Sequence, residues 1–260
     1  MENLFDLSGK VAIVTGGNGG IGKGIADGLA QAGSDIVVAA RNESKTAEAV
    51  RDIKEKSGVR VLGVQVDVRQ EDSIKAMVKQ VLDEFGQINI LVNNAGINTH
   101  RKMPQYYEPA EWDEILEVNL RGPLLCSKAV YPSMKEAGGG KIINTGSMTS
   151  LFGGAKWAAY ACSKAGIVQL TYSLALAWAE DNIQVNAILP GFISTSLSVE
   201  TRKIFPNLDD HVIHRTPAGR WGQPSDLAGA AVFLASRASD FVTAEYIKTD
   251  GGYAQGGLII

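Results

Sequence analysis

The chain has 260 residues, 45% of them hydrophobic and 20% charged, a composition that builds a covered globular core and excludes a disordered chain. A formal net charge of -3 gives a polyanion no global attraction, and no uncharged stretch is long enough to cross a bilayer, so neither a nucleic-acid nor a membrane partner is expected. The two cysteines, Cys126 and Cys162, make no C-x-x-C pair and no metal spacing with the three histidines, which points to buried thiols, a reducing cytoplasm and no metal; Met1–Asp6 lacks the basic and apolar segments of a secretory signal.

Short apolar, β-branched runs alternate with helical patterns along the chain. The predicted strands are Val11–Val14, Ile36–Val38, Val61–Val64, Ile90–Val92, Lys141–Asn144, Gln184–Ile188 and Tyr246–Thr249. Most are apolar throughout rather than at every second position, the pattern of strands covered on both faces. Between them the spacing predicts helices over Ile21–Gln31, Ser44–Ser57, Glu71–Phe85, Trp112–Met134, Ala158–Glu180 and Ser225–Ser236. This alternation predicts an α/β fold, one doubly wound parallel sheet with helices on both faces. Residues 192–216 break the rhythm with a polar stretch containing Pro206, read as an insertion that could act as a lid.

The segment Thr15-Gly16-Gly17-Asn18-Gly19-Gly20-Ile21-Gly22 follows the first strand and opens the first helix. Glycines there permit a tight turn, and a helix N-terminus offers N–H groups and a positive dipole end to a pyrophosphate. The spacing of Gly16, Gly20 and Gly22 is G-x-x-x-G-x-G, not the more familiar G-x-G-x-x-G. A carboxylate ending the second strand would hold a ribose 2′-hydroxyl, but this chain reads Ala39-Ala40-Arg41-Asn42. Arg41 suits a 2′-phosphate, which favours NADP(H) over NAD(H); otherwise it is a solvated surface arginine. Asp67, after the third strand, is read as an acceptor for an adenine amino group or as a helix N-cap.

Tyr160 and Lys164 lie four apart in a helical pattern, on one helix face. A nearby ammonium favours phenolate, and a phenol so tuned can exchange a proton with an alcohol or carbonyl oxygen. Ser147 follows the strand Lys141–Asn144 and is placed to bond a substrate oxygen.

With Asn93-Asn94-Ala95-Gly96, Asn119 and Pro190-Gly191, these motifs resemble the short-chain dehydrogenase/reductase family from Gly9-Lys10 to Asp250-Gly251-Gly252. The resemblance implies a single Rossmann-type domain over 1–260 and a hydride exchanged between NAD(P) and a small alcohol or ketone. It implies that Tyr160 is the acid/base. Lys164 would lower its pKa and hold the nicotinamide ribose, Ser147 would polarise the carbonyl, and Asn119 would anchor a relay water. It places Asn93, Ala95 and Gly96 at the adenosine ribose, and Pro190, Gly191 and Thr195 at the carboxamide. Further cofactor contacts are implied from Asn18, Ile21, Val68 and Ile193.

Two cationic segments could line a substrate pocket. One holds Arg101 and Lys102; the other holds Arg202, Lys203, His211, His214 and Arg215. Convergence of Arg101 and Arg215 would suit an anionic substrate. The opening Phe5–Ala12, Ala95–Asn98 and the Arg101-Lys102 pair resemble the gluconate 5-dehydrogenases and 2-dehydro-3-deoxygluconate dehydrogenases of that family, which implies a sugar acid. A 3-oxoacyl carrier-protein reductase and a non-catalytic dinucleotide sensor are the alternatives. The family resemblance implies a homotetramer, and the apolar tail Gly256–Ile260 suggests burial against a neighbouring subunit.

Overall fold

A computed structural model describes residues 3–255. Seven strands, β1 (Val11–Thr15), β2 (Asp35–Ala40), β3 (Val61–Gln65), β4 (Ile90–Asn93), β5 (Gly140–Thr145), β6 (Ile183–Pro190) and β7 (Tyr246–Thr249), form one sheet in the order β3-β2-β1-β4-β5-β6-β7. Every neighbouring pair is parallel. The uniformly apolar runs have the reason expected of them. Ile13, Val37, Leu91 and Ile142 pack on one face, with α3 (Glu71–Phe85), α5 (Gly122–Glu136) and α6 (Ala158–Trp178). Ala12, Val38, Val92 and Ile143 pack on the other, with α1 (Gly20–Gln31), α2 (Glu43–Ser57) and α9 (Ala228–Ala235). Strand order reverses between β1 and β4, which opens a crevice at their carboxyl ends.

Local chemistry sets the helix ends. The Asn42 side chain accepts the Lys45 N–H (2.9 Å) at the start of α2, and Gly58, at φ +74°, closes it. The helix predicted over Trp112–Met134 is interrupted. It divides into α4 (Pro109–Leu116), a π-helical turn (Glu117–Arg121) and α5. Pro123 explains the break, since it has no N–H for the carbonyl of Asn119 and its ring would collide with that carbonyl. The backbone widens instead, and Gly122 donates to the Glu117 carbonyl.

Residues 192–216 carry two helices, α7 (Ser196–Ile204) and α8 (Leu208–Arg215), where the sequence reading had only a polar insertion. Thr195 caps α7, accepting the Ser198 N–H at 3.3 Å. Cys126 is buried as expected, but Cys162 is exposed, because it shares the outer face of α6 with Gln169, Ser173 and Leu176. The tail 256–260 lies outside the described residues. No helix among the described residues is long and apolar enough to cross a membrane.

α1 approaches α9 through small residues. A Cβ added at Gly28 would lie 2.5 Å from Ala228 Cβ, and one added at Gly24 would collide with the Pro224 backbone. Replacing an ordinary helix-interior glycine by alanine stabilises the helix. Gly24→Ala is expected to do the opposite, lowering stability by about 1–3 kcal/mol because backbone must move. An unchanged or raised urea midpoint would contradict this packing.

Candidate active site

The crevice above β1 and β4 is a cleft of about 740 Å³. Gly16 (φ +64°) and Gly20 (φ +51°) supply the left-handed backbone that turns β1 into α1. Gly22 lies beneath the turn, where a side chain would run into the Gly16 carbonyl and Asn94. α1 has no side-chain N-cap and no acidic residue in its first turn. Its leading N–H groups and positive dipole end are therefore left to an anion from outside the helix. This cradle, with Gly16, Asn18, Gly20 and Ile21 on its wall, fits the pyrophosphate of a dinucleotide. Asn18 also ties the turn to α2 through Thr46 Oγ1 (3.2 Å).

At the end of β2, Arg41 and Asn42 line the cleft, and Lys45 joins them. Lys45 was missed in the sequence, although its position one helical turn beyond Arg41 was the available signal. Asp67 and Val68 line the opposite wall. The Asp67 carboxylate pairs with Arg69 (2.6 Å), and the hydrogen bonds from Arg69 hold it below the usual range against burial. Asp67 is not the N-cap of α3; Gln70 occupies that position.

Asn93 does not line the cleft. Its side chain is buried in the sheet layer, donating to Ser127 Oγ (3.0 Å) and Asn144 Oδ1 (2.9 Å). Neighbouring strand residues point to opposite faces, so Asn94 takes the position expected of Asn93. Asn94 Nδ2 donates to the Thr15 and Gly16 carbonyls at 3.0 and 3.3 Å. Ala95 and Gly96 line the cleft beside it.

Gly96 also leads to the polar side chains of the next wall. A Cβ built on it would lie 3.3 Å from Asn119 Oδ1 and 3.6 Å from Lys164 Nζ. Asn119, in the π-helical turn, is buried; its Oδ1 accepts the Ile97 N–H (2.8 Å), and its Nδ2 donates to Ile97 O (2.9 Å) and Ser163 Oγ (3.1 Å). Lys164 Nζ donates to the Thr145 carbonyl (2.7 Å) and lies 5.8 Å from the centroid of the Tyr160 ring. Burial without a carboxylate partner pushes its ammonium down to about 8.

Tyr160 is half-buried. Burial raises its phenol, while a hydrogen bond with Ser147 and the Arg101 charge oppose that rise. Two cations thus stand near the phenol: Lys164, to which the sequence spacing pointed, over its ring, and Arg101, whose charge opposes the rise. Ser147 Oγ accepts the Thr149 N–H (3.1 Å), with the Thr149 hydroxyl at 2.9 Å. Those contacts occupy its acceptor side and leave its proton for the phenol or a substrate oxygen.

The β6 end is divided. Thr195 reaches the cleft, together with Ser196. Pro190 ends β6, Gly191 N donates to Thr249 O (3.1 Å), and Ile193 faces the core and a smaller cavity of about 320 Å³.

A further cavity of about 700 Å³ begins at Met148, next to Ser147. Phe152, Trp157, Phe192 and Tyr253 line it, with His211 and Arg215. Arg215 stacks over the Tyr253 ring at 4.9 Å. Arg101 is not in its lining, so the two arginines do not converge there. Arg202 pairs with Asp209 (2.8 Å) and Lys102 with Glu111 (2.6 Å). The aromatic residues were not singled out in the sequence, because nothing in their spacing joins positions so far apart in the chain.

The comparisons agree with this geometry. The family model described as enoyl-(acyl carrier protein) reductase matches residues 16–254. A 2-dehydro-3-deoxy-D-gluconate 5-dehydrogenase of Formosa agariphila is 41% identical over 250 residues, covering 96% of this chain and 94% of its own. A 3-oxoacyl-(acyl-carrier-protein) reductase of Vibrio cholerae is 39% identical over 248 residues, covering 95% and 98%. The crystal structure of a gluconate 5-dehydrogenase from Burkholderia cenocepacia, in complex with NADP and tartrate, superimposes with a TM-score of 0.92 at 38% identity, covering 98% of each chain. With this fold and this cleft, the chain belongs to the short-chain dehydrogenase/reductase family.

Proposed function

We propose that this protein is an NADP(H)-preferring oxidoreductase that interconverts a secondary alcohol and a ketone on a sugar acid or keto sugar acid. The observation that carries this reading is the Tyr160 phenol set among Ser147, Lys164 and Arg101, with Lys164 next to Gly96 on the wall of the glycine-turned cleft. Bound in that cleft, the nicotinamide supplies or accepts the hydride. Tyr160 exchanges the proton with the substrate oxygen, and Ser147 holds that oxygen by the hydroxyl proton it otherwise turns to the phenol. Lys164 binds the nicotinamide ribose and returns protons to Tyr160 through the Asn119 turn, where Pro123 leaves the Asn119 carbonyl without its helical donor.

Arg41 and Lys45 together form the 2′-phosphate site, and the absence of a carboxylate at the end of β2 supports NADP(H). Arg101 receives the carboxylate of the substrate. Its Nε is buried without a partner, an arrangement that an incoming anion would relieve. The names of the Formosa and Burkholderia relatives support the sugar-acid assignment. The Vibrio relative keeps a 3-oxoacyl reductase as the second reading; His211 and Arg215 in the aromatic cavity favour the acid. We infer one domain over 1–260, a lid formed by α7 and α8, and a cytoplasmic homotetramer. The row of Leu116, Leu120, Leu124 and Leu170 in a shared groove supports the assembly.

Tyr160→Phe is expected to bind the dinucleotide as wild type does and to lose about 10²–10⁴-fold in turnover. Undiminished turnover would refute the catalytic reading, and a wild type inert on sugar acids, polyols and ketones would favour the sensor. Arg41→Asp should move the ratio of kcat/KM for NADP(H) over NAD(H) toward NAD(H) by about 10–100-fold; an unchanged ratio removes Arg41 from the phosphate site.

Because Lys164 is depressed to about 8 from the ordinary 10.5, the folded chain sheds this proton before the unfolded chain does. The unfolded state then binds more protons across that interval, so stability rises with pH from about 8 to 10.5. Lys164→Met lacks that contribution, so the difference in stability between wild type and variant should change with pH across the interval by on the order of 3 kcal/mol. Parallel pH profiles for variant and wild type would contradict the buried, unpaired ammonium.

A further inference from the structure

The cavity beside Ser147 is larger than a bare sugar acid needs. It measures about 700 Å³. A cavity of about 150 Å³ holds one benzene, so each non-hydrogen atom takes about 25 Å³. Gluconate, with about 13 such atoms, then fills roughly 325 Å³, less than half of the space. A sugar acid carrying one further pyranose ring has about 24 such atoms and fills roughly 600 Å³.

The wall is built from flat rings. Phe152, Trp157, Phe192, Phe205 and Tyr253 line it. Several of them fix one another. Phe192 meets Tyr253 edge-on with centroids 5.1 Å apart, and Phe152 lies 6.3 Å from the same ring. Gly154 leaves room for Trp157, since a Cβ there would lie 2.8 Å from the indole Cε3. Aromatic faces cover the C–H face of a pyranose and leave its hydroxyls free at the ring edge.

Polar groups interrupt this wall. Lys156, His211 and Arg215 line the same cavity, and no described residue of the lining is an aspartate or a glutamate. Arg215 stacks over Tyr253 at 4.9 Å, and His211 Nε2 lies 3.4 Å from the Tyr253 hydroxyl, so both are held against the aromatic wall. Trp157 Nε1 is buried with no hydrogen-bond partner among the described residues. An indole N–H can only donate, so an oxygen satisfies it and a methylene chain does not. That requirement separates a hydroxylated ring from an acyl chain of the same volume. The cavity also lies where a substrate would extend: Met148 joins it to Ser147, Trp157 is the N-cap residue of α6 one turn before Tyr160, and the far side reaches α8.

We propose that this cavity is a second-ring subsite: the substrate is a sugar acid bearing a glycosyl ring, which stacks on the aromatic wall and accepts a hydrogen bond from Trp157 Nε1. This rests on the sugar-acid reading of the site and adds what lies beyond the reacting carbon. The reaction keeps its balance, since the secondary alcohol gives a hydride to NADP⁺ and a proton to Tyr160 and becomes a ketone.

The test compares gluconate with lactobionate and maltobionate, which carry a β- or an α-linked pyranose on the same acid, as alcohols oxidised by NADP⁺. In wild type, kcat/KM for at least one of the larger acids should exceed that for gluconate by about tenfold or more. Trp157→Phe keeps an aromatic ring and loses the donor. In it, the ratio of kcat/KM for the larger acid over gluconate should fall by about five- to tenfold. Phe205→Leu removes a flat face without touching the donor and should lower the same ratio, so the outcome does not depend on one variant folding. Gluconate equal or preferred in wild type, or a wild-type ratio in either folded variant, overturns the second-ring subsite and leaves the sugar-acid reading standing. Oxidation of none of the three acids, with or without reduction of a 3-oxoacyl thioester by NADPH, overturns both.

Discussion

The Thr15 hydroxyl accepts the N–H groups of Asn94 and Ala95 at 3.0 and 3.1 Å, and Asn94 returns a bond to the Thr15 carbonyl at 3.0 Å. These bonds join the ends of β1 and β4 where strand order reverses. The backbone ladder pairs β1 with β4 only as far as Val14 and Val92, so beyond it these side-chain bonds carry the connection. With β1 and β4 tied, the glycine turn on one and Gly96 on the other face the same cleft. Gly96 in turn reaches Asn119 and Lys164, so one junction relates the glycine turn to the buried polar side chains of the next wall.

The electrostatics of the site follow from burial with few compensating charges. Lys164 is depressed because water is excluded and only the Thr145 carbonyl receives its proton. Burial raises Tyr160 for the same reason, offset by Ser147 and Arg101. Arg101 is lowered by burial as well. Two cationic side chains and a phenol, buried near one another with no carboxylate partner, are arranged to receive negative charge. A pyrophosphate at α1, a 2′-phosphate at Arg41 and Lys45, and a carboxylate at Arg101 would each meet part of that demand.

A kinked helix carries a share of the same task. Pro123 forces the π-helical turn that presents the Asn119 amide to Ile97, and the segment beginning at Ile97 carries Arg101. α4, just before that turn, supplies Glu111 and Glu114 to His100 on the same segment. A single interrupted helix thus sets both the buried Asn119 amide and the segment that carries Arg101.

Strand and helix positions were legible in the sequence because burial on both faces imposes a local pattern: all seven strands stand within a few residues of their apolar runs. The glycine turn, Tyr160, Lys164 and Ser147 were legible because each is tied to a strand end or a helical spacing that the chain displays directly. Pro123 was visible too, but a proline inside an apolar periodic run does not say whether a helix ends or widens. The choice between Asn93 and Asn94, the addition of Lys45, the exposure of Cys162, and the arrival of Arg101 as a second charge near the phenol were decided by tertiary structure alone. Pattern along a chain records which residue types must be buried and which backbone must turn. Which charges meet depends on distances across the sheet and on the water excluded between them, and neither exists until the elements pack.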